Sequence, residues 1–167
     1  MKFNSIAPWA AMAALALPAL VACAPDAEAP IEADAAKEAT SESAGLTVSN
    51  PRVVLAPVSG NPAAVYFDLS YSGSAPVTLT GVAVEGAGMT MIHDYAESAG
   101  KMAMTMAGPV SLAEGTPVTF APGGLHVMAM DPGSDLKPGA MAKVTLTLSD
   151  GTTQTVEAPV RAAGEDR

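Results

Sequence analysis

An all-β sandwich is the fold class this sequence predicts, and three observations predict it. From Leu46 to Ala158 the chain breaks into short runs of Val, Leu, Thr, Tyr and Phe separated by Gly, Pro and Asn. Several runs alternate: Val144, Leu146 and Leu148 are interleaved with threonines, and Ala64–Tyr71 carries apolar, mainly β-forming residues at alternate places. No segment carries a convincing apolar period of 3.6, so nothing argues for a helical core. Roughly nine short strands in one domain of this length fit an antiparallel Greek-key β-sandwich.

Taken in order, residues 1–23 read as an export signal. Lys2 gives a positive start, and an apolar run from Ile6 to Val21 follows, broken by Pro8 and Pro18. It is too short and too interrupted for a stable spanning helix. Leu20-Val21-Ala22-Cys23 resembles the bacterial lipobox. By that resemblance Cys23 becomes the lipid-bearing first residue of a mature, membrane-anchored protein. Ala24 stands where Asp would signal inner-membrane retention, which points to a periplasmic lipoprotein of the outer membrane. The alternative is ordinary cleavage, since Ala22-Cys23-Ala24 also meets a small-x-small rule.

Residues 24–45 read as a flexible, acidic linker. They hold six acids (Asp26, Glu28, Glu32, Asp34, Glu38, Glu42) against Lys37 alone, and Ile31 is the one large apolar residue. Such a stretch cannot bury enough surface to offset its ordering entropy, and its charges repel one another. The sandwich is expected over 46–161, with a tail at 162–167. Its strands are read at Leu46–Ser49, Val53–Leu55, Ala64–Tyr71, Val77–Val84, Met89–Tyr95, Lys101–Met106, Val118–Phe120, Leu125–Met130, Ala142–Leu148 and Thr153–Ala158. Asp150-Gly151 marks a hairpin between the last two.

Composition excludes several functions. The formal charge of −9 argues against a basic nucleic-acid surface. Cys23 is the one cysteine and lies in the leader. That excludes an internal disulfide, a type 1 copper centre and a Cys-based zinc site.

What remains is a concentration of soft ligands. Both histidines, His93 and His126, and seven of the ten methionines fall between Met89 and Met130. Met-Thr-Met-Ile-His (89–93), Met-Ala-Met-Thr-Met (102–106) and His-Val-Met-Ala-Met (126–130) place sulfur or imidazole at every second position. On a strand that period gathers them on one face. Thioether sulfur is soft and neutral, and so favours Cu(I) over zinc, magnesium or calcium. Imidazoles compete with protons, so binding should weaken below about pH 6. Ala121-Pro122-Gly123-Gly124 should form a tight turn that presents His126 near a sheet end.

His93, Met104, His126 and Met128 are spaced H-x10-M-x21-H-x-M. This spacing, with the phrases Gly100–Met104 and Pro122–Met130, resembles the periplasmic copper chaperone family known as PCuAC over roughly Leu46 to Val160. The resemblance implies a cupredoxin-like sandwich that holds Cu(I) through those four side chains. It also implies delivery of copper towards the binuclear copper site of cytochrome c oxidase. Met91 shares a face with His93 and is a possible auxiliary ligand. Met89, Met102, Met106, Met130 and Met141 are expected to pack as core or as the apolar wall of the site.

An enzyme is not expected. There is no Gly-x-Ser-x-Gly elbow, and a copper redox site that keeps Cu(II) usually has three histidines or a thiolate. The competing reading is a copper-sequestering lipoprotein with no specific client.

Overall fold

The computed structural model describes residues 40–98 and 100–165. The export leader, Cys23 and the linker as far as residue 39 lie outside them. Among the described residues the regular elements are all strands: β1 (Thr40–Ser43), β2 (Leu46–Val54), β3 (Ala63–Tyr71), β4 (Val77–Val84), β5 (Met89–Ser98), β6 (Lys101–Met106), β7 (Val110–Leu112), β8 (Val118–Phe120), β9 (His126–Met130), β10 (Met141–Leu148) and β11 (Thr153–Arg161).

Hydrogen-bonded neighbours run β6-β5-β9-β3-β2-β11-β10-β4-β7, with β1 added to β2 and β8 to β3. The strands from β6 to β2 make one layer, and β11, β10, β4 and β7 make the other. β11 serves both. It pairs antiparallel with β10 through Pro159, then parallel with β2 at Val160 and Arg161. This parallel pair departs from the wholly antiparallel ladder expected from sequence. A strand that leaves one layer for the other arrives beside whichever strand lies at the corner, and β2 runs in the same direction.

Alternation decides which side chains go inside. Val65, Phe67 and Leu69 of β3, Leu79, Val82 and Val84 of β4, Val127 and Ala129 of β9, and Val144, Leu146 and Leu148 of β10 fill a single core. Slipping any of these strands by one residue would turn its apolar set to water. That requirement is what fixes the register of the site strands described below.

Three local differences from the sequence reading have identifiable causes. β1 falls inside the segment read as linker. It forms a two-residue hairpin with β2, in which Ala44 and Gly45 both have positive φ (50° and 78°). Such turns usually announce themselves as Asn-Gly or Asp-Gly, and Ala-Gly gives no such signal. The sequence divides β2 into two strands because Asn50-Pro51 looks like a break. Instead Asn50 takes φ 52°, the register shifts between Ser49 and Arg52, and the strand continues. This is a bulge, a place where a strand tolerates proline. Asn50 Nδ2 donates to Asp68 Oδ2 at 2.9 Å across it. β7 leaves no signal in the sequence because three residues are too few for period two to register.

The hairpin read at Asp150-Gly151 is present. Gly151 has φ 86° and its N–H donates to the Leu148 carbonyl at 3.0 Å. The Thr152 N–H donates to Asp150 Oδ1 at 2.8 Å, and this bond holds the exposed Asp150 carboxyl below its ordinary value of 3.8. A lowered folded-state value means the contact is complete above the unfolded pKa and lost as pH falls through the folded one. The Thr152 amide resonance is therefore expected to titrate with a midpoint below 3.8. An NMR titration in acid checks this, and a midpoint at or above the ordinary value would contradict it.

Candidate metal centre

β5, β6 and β9 lie side by side at one end of the first layer. Their inward residues are anchored. Val127 and Ala129 of β9 are buried, Ile92 of β5 packs against the core, and the Thr90 hydroxyl donates to the Val82 carbonyl of β4 in the opposite layer. Alternation then sends the next residues outward. Met89, Met91, His93 and Tyr95 of β5, Met102, Met104 and Met106 of β6, and His126, Met128 and Met130 of β9 share the outer face.

Register brings the spaced residues together. His93 lies opposite His126 on one side and Met106 on the other. Met91 lies opposite Met128, Met89 opposite Met130, and Tyr95 opposite Met104. The two imidazoles meet edge to face, with centroids 5.9 Å apart and planes at 64°. Met128 and Met104 sit diagonally from His93, one repeat along in opposite directions. Diagonal neighbours on a sheet are roughly 7–8 Å apart, a gap that a flexible methionine side chain can cross.

The histidines are held differently. His126 is only 4% exposed. Its Nδ1 lies 2.8 Å from the Gly124 carbonyl. A carbonyl can only accept, so Nδ1 carries the proton and Nε2 keeps its lone pair for a metal. The turn before it supplies that carbonyl. Gly124 N–H donates to the Ala121 carbonyl at 3.1 Å, and Gly123 has φ 83°. Pro122 and Gly123 thus occupy the second and third positions of a type II turn, where each is favoured. Tyr95 stacks on the His126 ring at 5.6 Å and 29°.

His93 lacks such support. Both of its ring nitrogens are buried without a hydrogen-bond partner. Leaving a buried polar atom unpaired costs about 1–3 kcal/mol. Two orphaned nitrogens beside a second imidazole with a free Nε2, on a face of thioethers, are chemically suited to a soft metal ion.

One expectation about the methionines is corrected. Met89, Met102, Met106 and Met141 are not core: all four are exposed, Met106 at 73%. Met89, Met102 and Met106 stand on the open part of the outer face, away from the enclosed histidine rings, and Met141 stands at the start of β10 in the other layer. Sequence spacing also missed two neighbours of the histidines. Met106 is directly across from His93, nearer in register than Met104. Tyr95 covers His126. The period-two pattern pointed to both, but it could not rank them without the pairing of β5 with β6.

Residues 46–160 match the family model described as "Putative lipoprotein LpqE-like". The chain belongs to the LpqE-like family. Among curated proteins of known sequence, a relative from Leifsonia xyli subsp. xyli, named "Putative lipoprotein Lxx21020", is 30% identical over 99 residues. The match takes in 59% of this chain and 60% of that one, so the LpqE-like chain spans less than two thirds of this relative's length. Solved structures extend the likeness. The apo PCuAC domain of PmoF1 superposes with a TM-score of 0.61 at 26% identity, over 74% of this chain and 98% of that domain. The copper-bound PCuAC domain of PmoF2 gives 0.61 at 25%, over 74% and 97%. The CuI form of DR1885 from Deinococcus radiodurans gives 0.57 at 30%, over 71% and 79%. The resemblance to PCuAC domains drawn from motif spacing is thus borne out, and the sandwich is cupredoxin-like.

Proposed function

We propose that this LpqE-like protein is an exported Cu(I) metallochaperone. It takes copper on the outer face of β5, β6 and β9 and delivers it to an acceptor protein. The observation that carries the proposal is the pair of imidazoles: His93 with both nitrogens buried and unpartnered, facing His126 with Nδ1 tied to Gly124. The copper-bound state of similar PCuAC domains supports the choice of metal.

The ligand set we propose is His93, Met104, His126 and Met128, with Met91 as an auxiliary. Two neutral imidazoles and two thioethers leave the site with the single positive charge of the ion. None of the four needs a thiolate, so an oxidising compartment cannot disable the site by forming a disulfide.

Release follows from burial. His126 is almost enclosed, whereas Met104, at 44% exposure, stands on β6 at the end of the strand order. An incoming acceptor can displace the exposed thioether first, while the histidines still hold the ion. Acceptor thiolates bind Cu(I) more tightly than neutral ligands, so transfer to a Cys-containing site runs downhill. We assign the binuclear copper site of cytochrome c oxidase as the acceptor. Lipidation at Cys23 and the linker after it would hold the domain at the periplasmic face of a membrane, the outer one by the sorting signal.

Anaerobic transfer to the isolated copper domain of the oxidase tests this reading. The loaded protein is expected to lose its copper to that domain and not to a non-client cupredoxin. Retention of the metal against the oxidase domain would favour sequestration without a client.

A further inference from the structure

Beyond the four ligands, the outer face carries thioethers with no structural task. Met89 and Met91 on β5 and Met130 and Met128 on β9 form two adjacent cross-strand pairs, Met89↔Met130 and Met91↔Met128. They mark the corners of a rectangle. Its short side is the cross-strand separation of about 4.5–5.5 Å between Cβ atoms. Its long side is two residues of rise, about 6.7 Å. Met128, two residues along β9 from His126, belongs to the ligand set above. Met89 and Met130 have no part in that set, and Met91, its auxiliary, stands between the two groups.

These side chains are not packing material. Met89 is 57% exposed, Met91, Met128 and Met130 are half-buried, and none of the four belongs to the core cluster. Outward sheet positions ordinarily carry Thr, Lys or Glu, and here four neighbouring outward places, two on each strand, carry thioethers. Their phase is locked from behind. Thr90 donates to Val82, Ile92 is packed on the core, and Val127 and Ala129 are buried. The end of the rectangle is also fixed: Gly88 N–H donates to the Met130 carbonyl at 2.9 Å, and Asp131, with φ 49°, turns the chain away. The strands are rigid, whereas each methionine has three rotatable bonds beyond the backbone, so three sulfurs can converge on one ion.

We propose that Met89, Met91 and Met130 form a second, thioether-only Cu(I) site, adjoining the histidine site at Met128. The inference rests on the reading of this face as a Cu(I) surface. Three neutral thioethers select Cu(I) over harder or divalent ions. They hold it less firmly than a set with two imidazoles, as a staging position should. An ion there lies one strand repeat from Met128, and the shared corner gives it a path into or out of the tighter site by thioether exchange. No electron or proton moves in that step: one Cu–S bond forms as another breaks.

Anaerobic titration of the full chain with Cu(I) against a chromophoric Cu(I) chelator tests the proposal, with X-ray absorption at one and two equivalents. Wild type is expected to take two equivalents, the second adding sulfur scattering only. Met89→Leu/Met130→Leu conserves volume on an exposed face and should reduce the count to one, leaving the tight equivalent unchanged. His93→Ala/His126→Ala should lose the tight equivalent and retain the weak one. A single equivalent in wild type, or two in Met89→Leu/Met130→Leu, overturns the second site alone. Absence of any Cu(I) binding in wild type overturns the copper reading with it.

Discussion

Phe67→Ala is expected to lower stability by about 3–5 kcal/mol, the usual cost of emptying a buried aromatic site. Phe67 is fully buried, and its ring lies 4.3 Å from that of Phe120, tilted by 31°. It sits on β3, which pairs with β2 on one edge and with β8 and β9 on the other. A hole there opens at the junction of four strands. The surrounding core is made mainly of Val and Leu held in strand ladders, which can only partly collapse into the gap. Domains of this kind have about 5–15 kcal/mol in total, so the loss is a large share of what holds the sandwich together. Urea unfolding should show a lower midpoint with an unchanged slope. Phe120→Ala should behave similarly, and the double substitution should cost less than the sum because both empty one cavity. A loss below about 1 kcal/mol, within the range of surface substitutions and small trims, would contradict the role given to this ring pair.

The same pair shows why the fold was legible. Strands that bury one face write that burial into the chain as period two, and β3, β4, β9 and β10 all do so. What escaped notice was where geometry does not depend on side-chain pattern. The Ala44-Gly45 turn works through backbone φ alone, and the Asn50 bulge makes a proline compatible with a strand. The parallel contact of β11 with β2 depends on how two layers meet, which no local sequence records.

The site was legible for a related reason and illegible for another. Period two identified the outward row on each of β5, β6 and β9, and motif spacing selected His93, Met104, His126 and Met128 from it. Lateral register could not be read. It is set by the inward residues Ile92, Val127 and Ala129, and it alone reveals that Met106 faces His93 and that Tyr95 covers His126. Depth could not be read either. Methionine serves equally as core filler and as exposed ligand. Only the open outer face distinguishes Met89 and Met106 from the core.

His93→Ala and His126→Ala are each expected to weaken Cu(I) binding by at least ~100-fold, beyond the range found when a ligand's supporting contact alone is removed. The two should differ in the metal-free protein, and that difference discriminates a ligand role from a structural one. His126 contributes a stack with Tyr95 and a hydrogen bond to Gly124, so its removal should cost the metal-free fold about 1 kcal/mol. His93 has two buried nitrogens with no partner. Replacing it by Leu removes that desolvation cost and should leave the metal-free fold as stable or more so, while abolishing binding. Such an exchange of stability against function is the signature of a residue held ready for a ligand. Met104→Leu and Met106→Leu complete the series. Both remove a thioether from the same face at nearly constant volume, so neither should move the unfolding midpoint by much. If the spaced set is the ligand set, Met104→Leu weakens Cu(I) and Met106→Leu does not. The reverse result would transfer the ligand role to the methionine that register places across from His93. Competition titrations at fixed chelator, run beside thermal unfolding of the metal-free variants, read both quantities. Loss of stability in His93→Leu with binding intact would return that histidine to the core and remove the main support for a metal site on this face.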